Sequence, residues 1–152
     1  MIKIVAIGKI KDKNLGALID DYLKKISRYH KIEVVEVKDE PIKDDEKEVL
    51  RIEGERALKQ IDDKDYVILL DLHGKMTDSL SFARHLDNLF ITNSKITFVI
   101  GGSLGLSDNL LKRANERLKL SDMTFLHSIT RLLLIEQIYR SFKILNNETY
   151  HK

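Results

Sequence analysis

The groups in this chain best suited to chemistry stand near its end. In the tail NNETYHK (Asn146–Lys152), a phenol (Tyr150), an imidazole (His151) and a cation (Lys152) follow a long apolar segment. Such a set can stack on a base, contact phosphate or handle a proton, although on composition alone a frayed polar terminus explains it as well. The cluster IGGSLG (Ile100–Gly105) lets backbone approach a ligand closely and leaves amides free, or it is an ordinary turn. No lysine follows it as in a P-loop, so phosphoryl transfer of that type is disfavoured. Arg131 suits either a phosphate contact or a structural pair, whereas Glu136 and Arg140, four residues apart, suit a helix-face ion pair.

Other chemistries are excluded or weak. The chain has no cysteine, which removes disulfides, Cys-ligated metal centres and thiolate nucleophiles. His30, His73, His85, His127 and His151 form no compact metal-ligand pattern, so no metal is expected. Ser103 and Ser128 lie in no nucleophile-elbow motif.

The elements that must position these groups alternate strand and helix. Ile2–Ile7 reads as a strand, followed by Gly8, a basic loop and a helix with Leu15, Leu18, Ile19, Tyr22 and Ile26 on one face. A strand over Ile32–Val37 leads through a loop holding the only proline, Pro41, to a charged helix from Asp45 towards Ile61 that Gly54 interrupts. Tyr66–Leu70 is an apolar strand ending at Asp71–Gly74, and a helix carrying Leu80, Ala83, Leu86, Leu89 and Phe90 follows. The strand Ile96–Ile100 runs into the glycines, and Ser107 caps a helix with Leu110, Leu111, Ala114 and Leu118 as its stripe. Met123–Leu126 is a candidate fifth strand. The last helix, about Ile129–Leu145, carries more apolar residues than one face holds, which predicts a dimer.

Strands separated by helices predict an α/β fold: a mostly parallel sheet of five to six strands flanked by helices, in one domain over residues 1–152. In such a sheet, ligands collect at the carboxyl ends of the strands, here Leu70–Gly74 and Gly101–Gly105. No stretch approaches the roughly 20 apolar residues of a membrane span, and the opening residues lack a secretory signal, so a cytoplasmic protein is expected. Residues 1–31 hold eight Lys/Arg against three Asp/Glu, and residues 39–55 hold three against eight. This polarity permits a nucleic-acid partner without demanding one, and the acidic segment is expected to face away from it.

Four segments together, IGGSLG, LKLSDMTFLH (Leu118–His127), TRLLLIEQIYRSFKI (Thr130–Ile144) and the terminal YHK, resemble the RlmH family of ribosomal RNA large-subunit methyltransferases. The similarity spans essentially the whole chain. Thr149 departs from it, standing where many members carry proline.

The resemblance implies a SPOUT, or alpha/beta knot, fold with a C-terminal trefoil knot, a homodimer, and S-adenosylmethionine as cofactor. It implies methylation of N3 of pseudouridine 1915 in helix 69 of 23S ribosomal RNA on the assembled ribosome. Carried onto this sequence, Leu70, Gly101, Gly102, Leu120, Ser121, Asp122, Met123, Thr124 and Phe125 are expected around the cofactor. Judged singly, Leu70, Leu120, Met123 and Phe125 read as core. His151, Tyr150 and Arg131 are expected at the target base, with Lys9, Lys11, Lys13, Arg140 and Lys152 as candidate phosphate contacts. The alternatives are a SPOUT enzyme for another RNA nucleotide, a noncatalytic ribosome- or RNA-binding protein, and a small-molecule nucleotide sensor.

Overall fold

The computed structural model describes residues 1–42 and 44–152. Strands β1 (Ile2–Ile7), β2 (Ile32–Val37), β3 (Tyr66–Met76), β4 (Ile96–Ile100) and β5 (Glu116–Lys119) form one sheet in the order β2-β1-β4-β3-β5, and each neighbouring pair is parallel. The helices are α1 (Lys13–Ser27), α2 (Glu46–Leu58), α3 (Ser79–Thr92), α4 (Asp108–Arg113) and α5 (His127–Leu145).

Strand alternation divides the core between the two faces of the sheet. Ile2, Ile4, Ile68, Ile96 and Phe98 point to one side, where Ile19 and Ile26 of α1, Leu86 of α3 and Leu134, Ile135 and Ile138 of α5 cover them. Val5, Ile7, Val67, Leu69 and Val99 point to the other, covered by Ala57 of α2 and Leu110 of α4. Side-chain caps start four of the helices: Asp12 accepts from Asn14 and Leu15, Asp45 from Glu48, Asp78 from Ser81, and Ser107 from Leu110.

Several elements differ from the sequence expectation. The fifth strand is Glu116–Lys119, whereas residues 123–126 are not a strand. The helix after Ser107 stops at Arg113, because Ala114 turns to extended backbone and sends Leu118 into β5 beside Leu70 and Lys75 of β3. Strand β3 continues to Met76, beyond its apolar part, since β5 pairs with it again after a register shift between Leu70 and Lys75. Leu18 and Leu80 are exposed. The last helix buries Leu134, Ile135, Ile138, Tyr139 and Phe142 against the sheet, α1 and α3, and leaves Ile129, Leu132, Leu133, Ile144 and Leu145 partly exposed.

Gly54 sits inside α2 for a packing reason. A Cβ there would collide with the side chains of Ser107 and Asn109 at the start of α4, so glycine is what lets the two helices meet.

After β5 the chain recrosses the carboxyl ends of β3 and β4 before entering α5 on the α1/α3 side. That recrossing is the path a C-terminal knot requires, an exception to the rule against threaded loops.

Candidate active site

The site begins where β4 ends. Gly102 and Gly105 form an isolated antiparallel bridge, the Gly105 N–H donating to the Gly102 carbonyl at 3.1 Å. Gly105 has φ of +96°, and a Cβ on Gly101 would strike the Gly105 carbonyl oxygen. The tight loop therefore needs glycine at 101 and strongly favours it at 105.

Residues 120–126 lie across this loop as a strap. The Met123 N–H donates to Ser121 Oγ at 3.0 Å, and Lys119 pairs with Asp122. Beneath the strap is a cavity of about 490 Å³, within the range of small-ligand sites. Leu70, Gly101, Gly102, Leu120, Ser121, Met123, Thr124 and Phe125 all line it. Asp122 does not; its carboxylate turns to Lys119 and is 74% exposed.

The sequence places Asp71 in the ligand-side strand end Leu70–Gly74 without marking it as a cofactor residue; among the described residues it is the one carboxylate on that wall. Its Oδ1 accepts the His73 N–H at 3.1 Å, while Oδ2 is buried without a hydrogen-bond partner, 3.6 Å from Arg117. The signal was its place directly after the apolar run of β3. Apolar walls and a glycine loop whose backbone a ligand can approach closely suit a flat heterocycle. S-adenosylmethionine fits that description.

A second cavity, about 510 Å³, lies on the other side of the strap. Leu118, Lys119, Leu120, Ser121 and Phe125 are shared between the two, and the far wall includes Ser79, Leu80, Gln137 and His151. Here α5 organises the tail. Glu136 Oε1 accepts from Arg140 Nε (3.1 Å), Arg140 Nη2 (2.7 Å) and the Tyr150 hydroxyl (2.9 Å). Arg140 also lies 4.8 Å over the Tyr150 ring and meets His151 Nδ1 at 3.0 Å.

An arginine N–H only donates, so Nδ1 of His151 accepts and the ring's own proton sits on Nε2. Burial first, then Tyr22 and Glu136, push the Tyr150 phenol well above its ordinary range, which keeps it protonated.

Arg131 is placed elsewhere. It is 3% exposed; Nη1 donates to Glu36 Oε2 at 2.6 Å and Nη2 to the Gly8 carbonyl at 3.1 Å, tying α5 to the ends of β1 and β2. It lines neither cavity. The sequence left a phosphate contact and a structural pair equally open, and the observed contacts are those of the pair.

Lys9 and Lys11 border a groove that continues past Gly102, Ser103 and His127, opposite Glu36 and Asp39. Asp39 is thus the point where the acidic segment reaches the groove, while α2 packs against α4, β1 and β2 on the far face of the sheet. Among the described residues, no helix is long and apolar enough to cross a membrane.

Comparison with known proteins agrees with this geometry along the whole chain. The family described as "Predicted SPOUT methyltransferase" matches residues 1–151. The protein named ribosomal RNA large subunit methyltransferase H of Ruminiclostridium cellulolyticum is 48% identical over 157 residues, covering 99% of each chain. Those of the same name in Acetivibrio thermocellus and Clostridium perfringens (strain 13 / Type A) are 47% and 46% identical, also covering 99% of each chain. With a strap folded back over a glycine loop at the carboxyl end of a parallel sheet, and with near-half identity over nearly full length, the chain belongs to the SPOUT methyltransferases and, within them, to the RlmH family.

Proposed function

We propose that this protein methylates N3 of the helix 69 pseudouridine in 23S ribosomal RNA, using S-adenosylmethionine and acting on assembled ribosomes in the cytoplasm. The observation that carries the cofactor assignment is the strap, which gathers eight of the nine residues nominated from sequence around one cavity. A large-subunit ribosomal RNA substrate is supported by the names of the relatives.

When bound, S-adenosylmethionine supplies the electrophilic methyl of a sulfonium, so neither a metal nor a covalent enzyme intermediate is required. Leu70, Leu120, Met123 and Phe125 would line its site with apolar surface. The protein must also hold N3 in line with that methyl.

His151 and Tyr150 are assigned to the base. With Nδ1 engaged by Arg140, the His151 Nε2–H is free to donate to a ring carbonyl and to stabilise the charge that develops as N3 gives its proton to solvent water and bonds to the methyl carbon, whose bond to sulfur breaks. This favours orientation over proton acceptance by His151. Arg131 is assigned to holding α5 in place.

Within one chain, His151 lies across the strap from the glycine loop. A base reaching both must therefore sit between two copies, the tail of one completing the pocket of the other. Leu72, Met123 and Leu126 around the cavity mouth are 56%, 75% and 72% exposed, and their apolar surface suits that second copy.

The test is transfer of labelled methyl from S-adenosylmethionine to ribosomes with and without the target pseudouridine, followed by nucleoside mapping. Label at N3 only when pseudouridine is present is expected. Label on another nucleotide assigns a different target, and ribosome binding without transfer assigns a noncatalytic role.

A further inference from the structure

Glu53, on α2, has no part in the chemistry above, yet its placement is unusual. It is 4% exposed, and its carboxyl is only half satisfied: Oε2 accepts the Glu40 N–H at 3.0 Å, while Oε1 is buried without a partner. A buried, unpaired carboxylate oxygen is destabilising, and removing such a group often stabilises a fold. The structure shows what lies beside it. A Cβ built on Gly102 would lie 3.4 Å from Oε1 and 3.5 Å from Oε2, so the carboxyl sits directly behind the glycine loop.

The next residue, Gly54, meets the other end of that loop at Ser107. Two successive residues of α2 thus brace the loop where it leaves β4 and where it enters α4. Burial is the main influence that raises the Glu53 carboxyl above its ordinary range; Asp39 and Glu40 act in the same direction, against Arg56 and the Glu40 N–H.

We propose that Glu53 is the positioning residue of the glycine loop, its free Oε1 accepting a backbone N–H from the Gly102–Ser103 segment when ligand occupies the cavity in front. The inference rests on the cofactor assignment above. Glu53 touches no ligand; it fixes the loop conformation that does.

The test compares unaltered protein with Glu53→Gln and Glu53→Met, using S-adenosylhomocysteine as probe. Calorimetry gives its Kd, urea denaturation gives stability without ligand, and amide exchange reports on Gly102 and Ser103. Methionine fills similar space without an acceptor. Its expected effect is at least about tenfold weaker binding, the size of one charge-assisted hydrogen bond, with equal or higher stability without ligand. Glutamine keeps one acceptor oxygen and is expected to fall between the two in affinity and in ligand-induced protection of the Gly102 and Ser103 amides.

A Glu53→Met protein that binds within about twofold of the original overturns the proposal, as does parallel loss of stability and affinity in both variants. If Glu53→Met does not fold, unchanged protection in Glu53→Gln overturns it alone. Absence of binding by the unaltered protein overturns the cofactor assignment together with this one.

Discussion

The Tyr150 hydroxyl donates to Glu136 Oε1 at 2.9 Å, the same oxygen that receives Arg140. One carboxylate on α5 therefore sets both the phenol directly and the imidazole through Arg140, which reaches His151 Nδ1. The tail is held by side chains rather than by secondary structure, since residues 151 and 152 belong to no helix or strand.

A chemical role for the tail predicts that His151→Ala and Tyr150→Ala each lower the single-turnover rate of methyl transfer by about a hundredfold or more, the usual scale for a group acting on a proton or its charge. Cofactor affinity is expected to stay within about threefold, because both residues are assigned to the base and not to the cofactor. Near-normal rates at saturating cofactor remove both residues from the chemistry.

Arg131 is expected to behave differently. Its guanidinium is buried against Glu36 and the Gly8 carbonyl, so Arg131→Met leaves a half-buried carboxylate and a carbonyl without their donor. Breaking such a pair costs about 2 kcal/mol or more, which urea denaturation resolves. The rate per folded molecule should remain within severalfold; a hundredfold loss at unchanged stability returns Arg131 to the reaction.

Much of this was legible in the sequence because burial leaves a periodic trace. Strands β1 and β4 fall where apolar runs place them and β2 where alternation does, and residues 120–126 lie beside the glycine loop. What was not legible depends on pairing between distant segments. Glu116–Lys119, with three charged side chains, has no apolar signature; it is a strand because β3 offers a free edge. The partner of Arg131 lies 95 residues away on β2, and no local spacing announces it. The apolar excess of α5 is covered only in part by α1 and α3, with Leu132, Leu133 and Ile144 left partly exposed.

Gly54 is where local propensity and tertiary packing disagree. In an isolated helix, Gly54→Ala stabilises by about 1 kcal/mol. Here the added methyl meets Ser107 and Asn109, so a net loss of about 1–3 kcal/mol is expected from overpacking. Urea denaturation with far-ultraviolet circular dichroism decides the sign, and stabilisation means that α4 moves aside freely.

The exposed apolar rim of the cofactor cavity predicts self-association. Met123→Glu and Leu126→Glu place charge on side chains that are 75% and 72% exposed, so monomer stability should change by no more than about 0.5 kcal/mol. If a second copy covers this rim, sedimentation velocity will show a concentration-dependent dimer that these variants weaken. A variant dimer as tight as the original places the interface elsewhere.

His30 makes stability depend on pH. Its ring packs against both Phe90, with centroids 4.5 Å apart, and Phe142, at 5.6 Å, and Nε2 is buried without a partner. Burial, then the charge of the N-terminus, lowers its pKa below the ordinary 6.5. Below 6.5 the unfolded chain binds this proton more readily than the folded one. The contribution is therefore complete above 6.5 and is lost as pH falls from there towards the depressed folded value. Phenylalanine fits the same aromatic stack and does not titrate. The urea midpoint of the original protein should fall relative to that of His30→Phe between pH 7.5 and 5, and a constant difference across that interval means that His30 titrates normally in the folded protein.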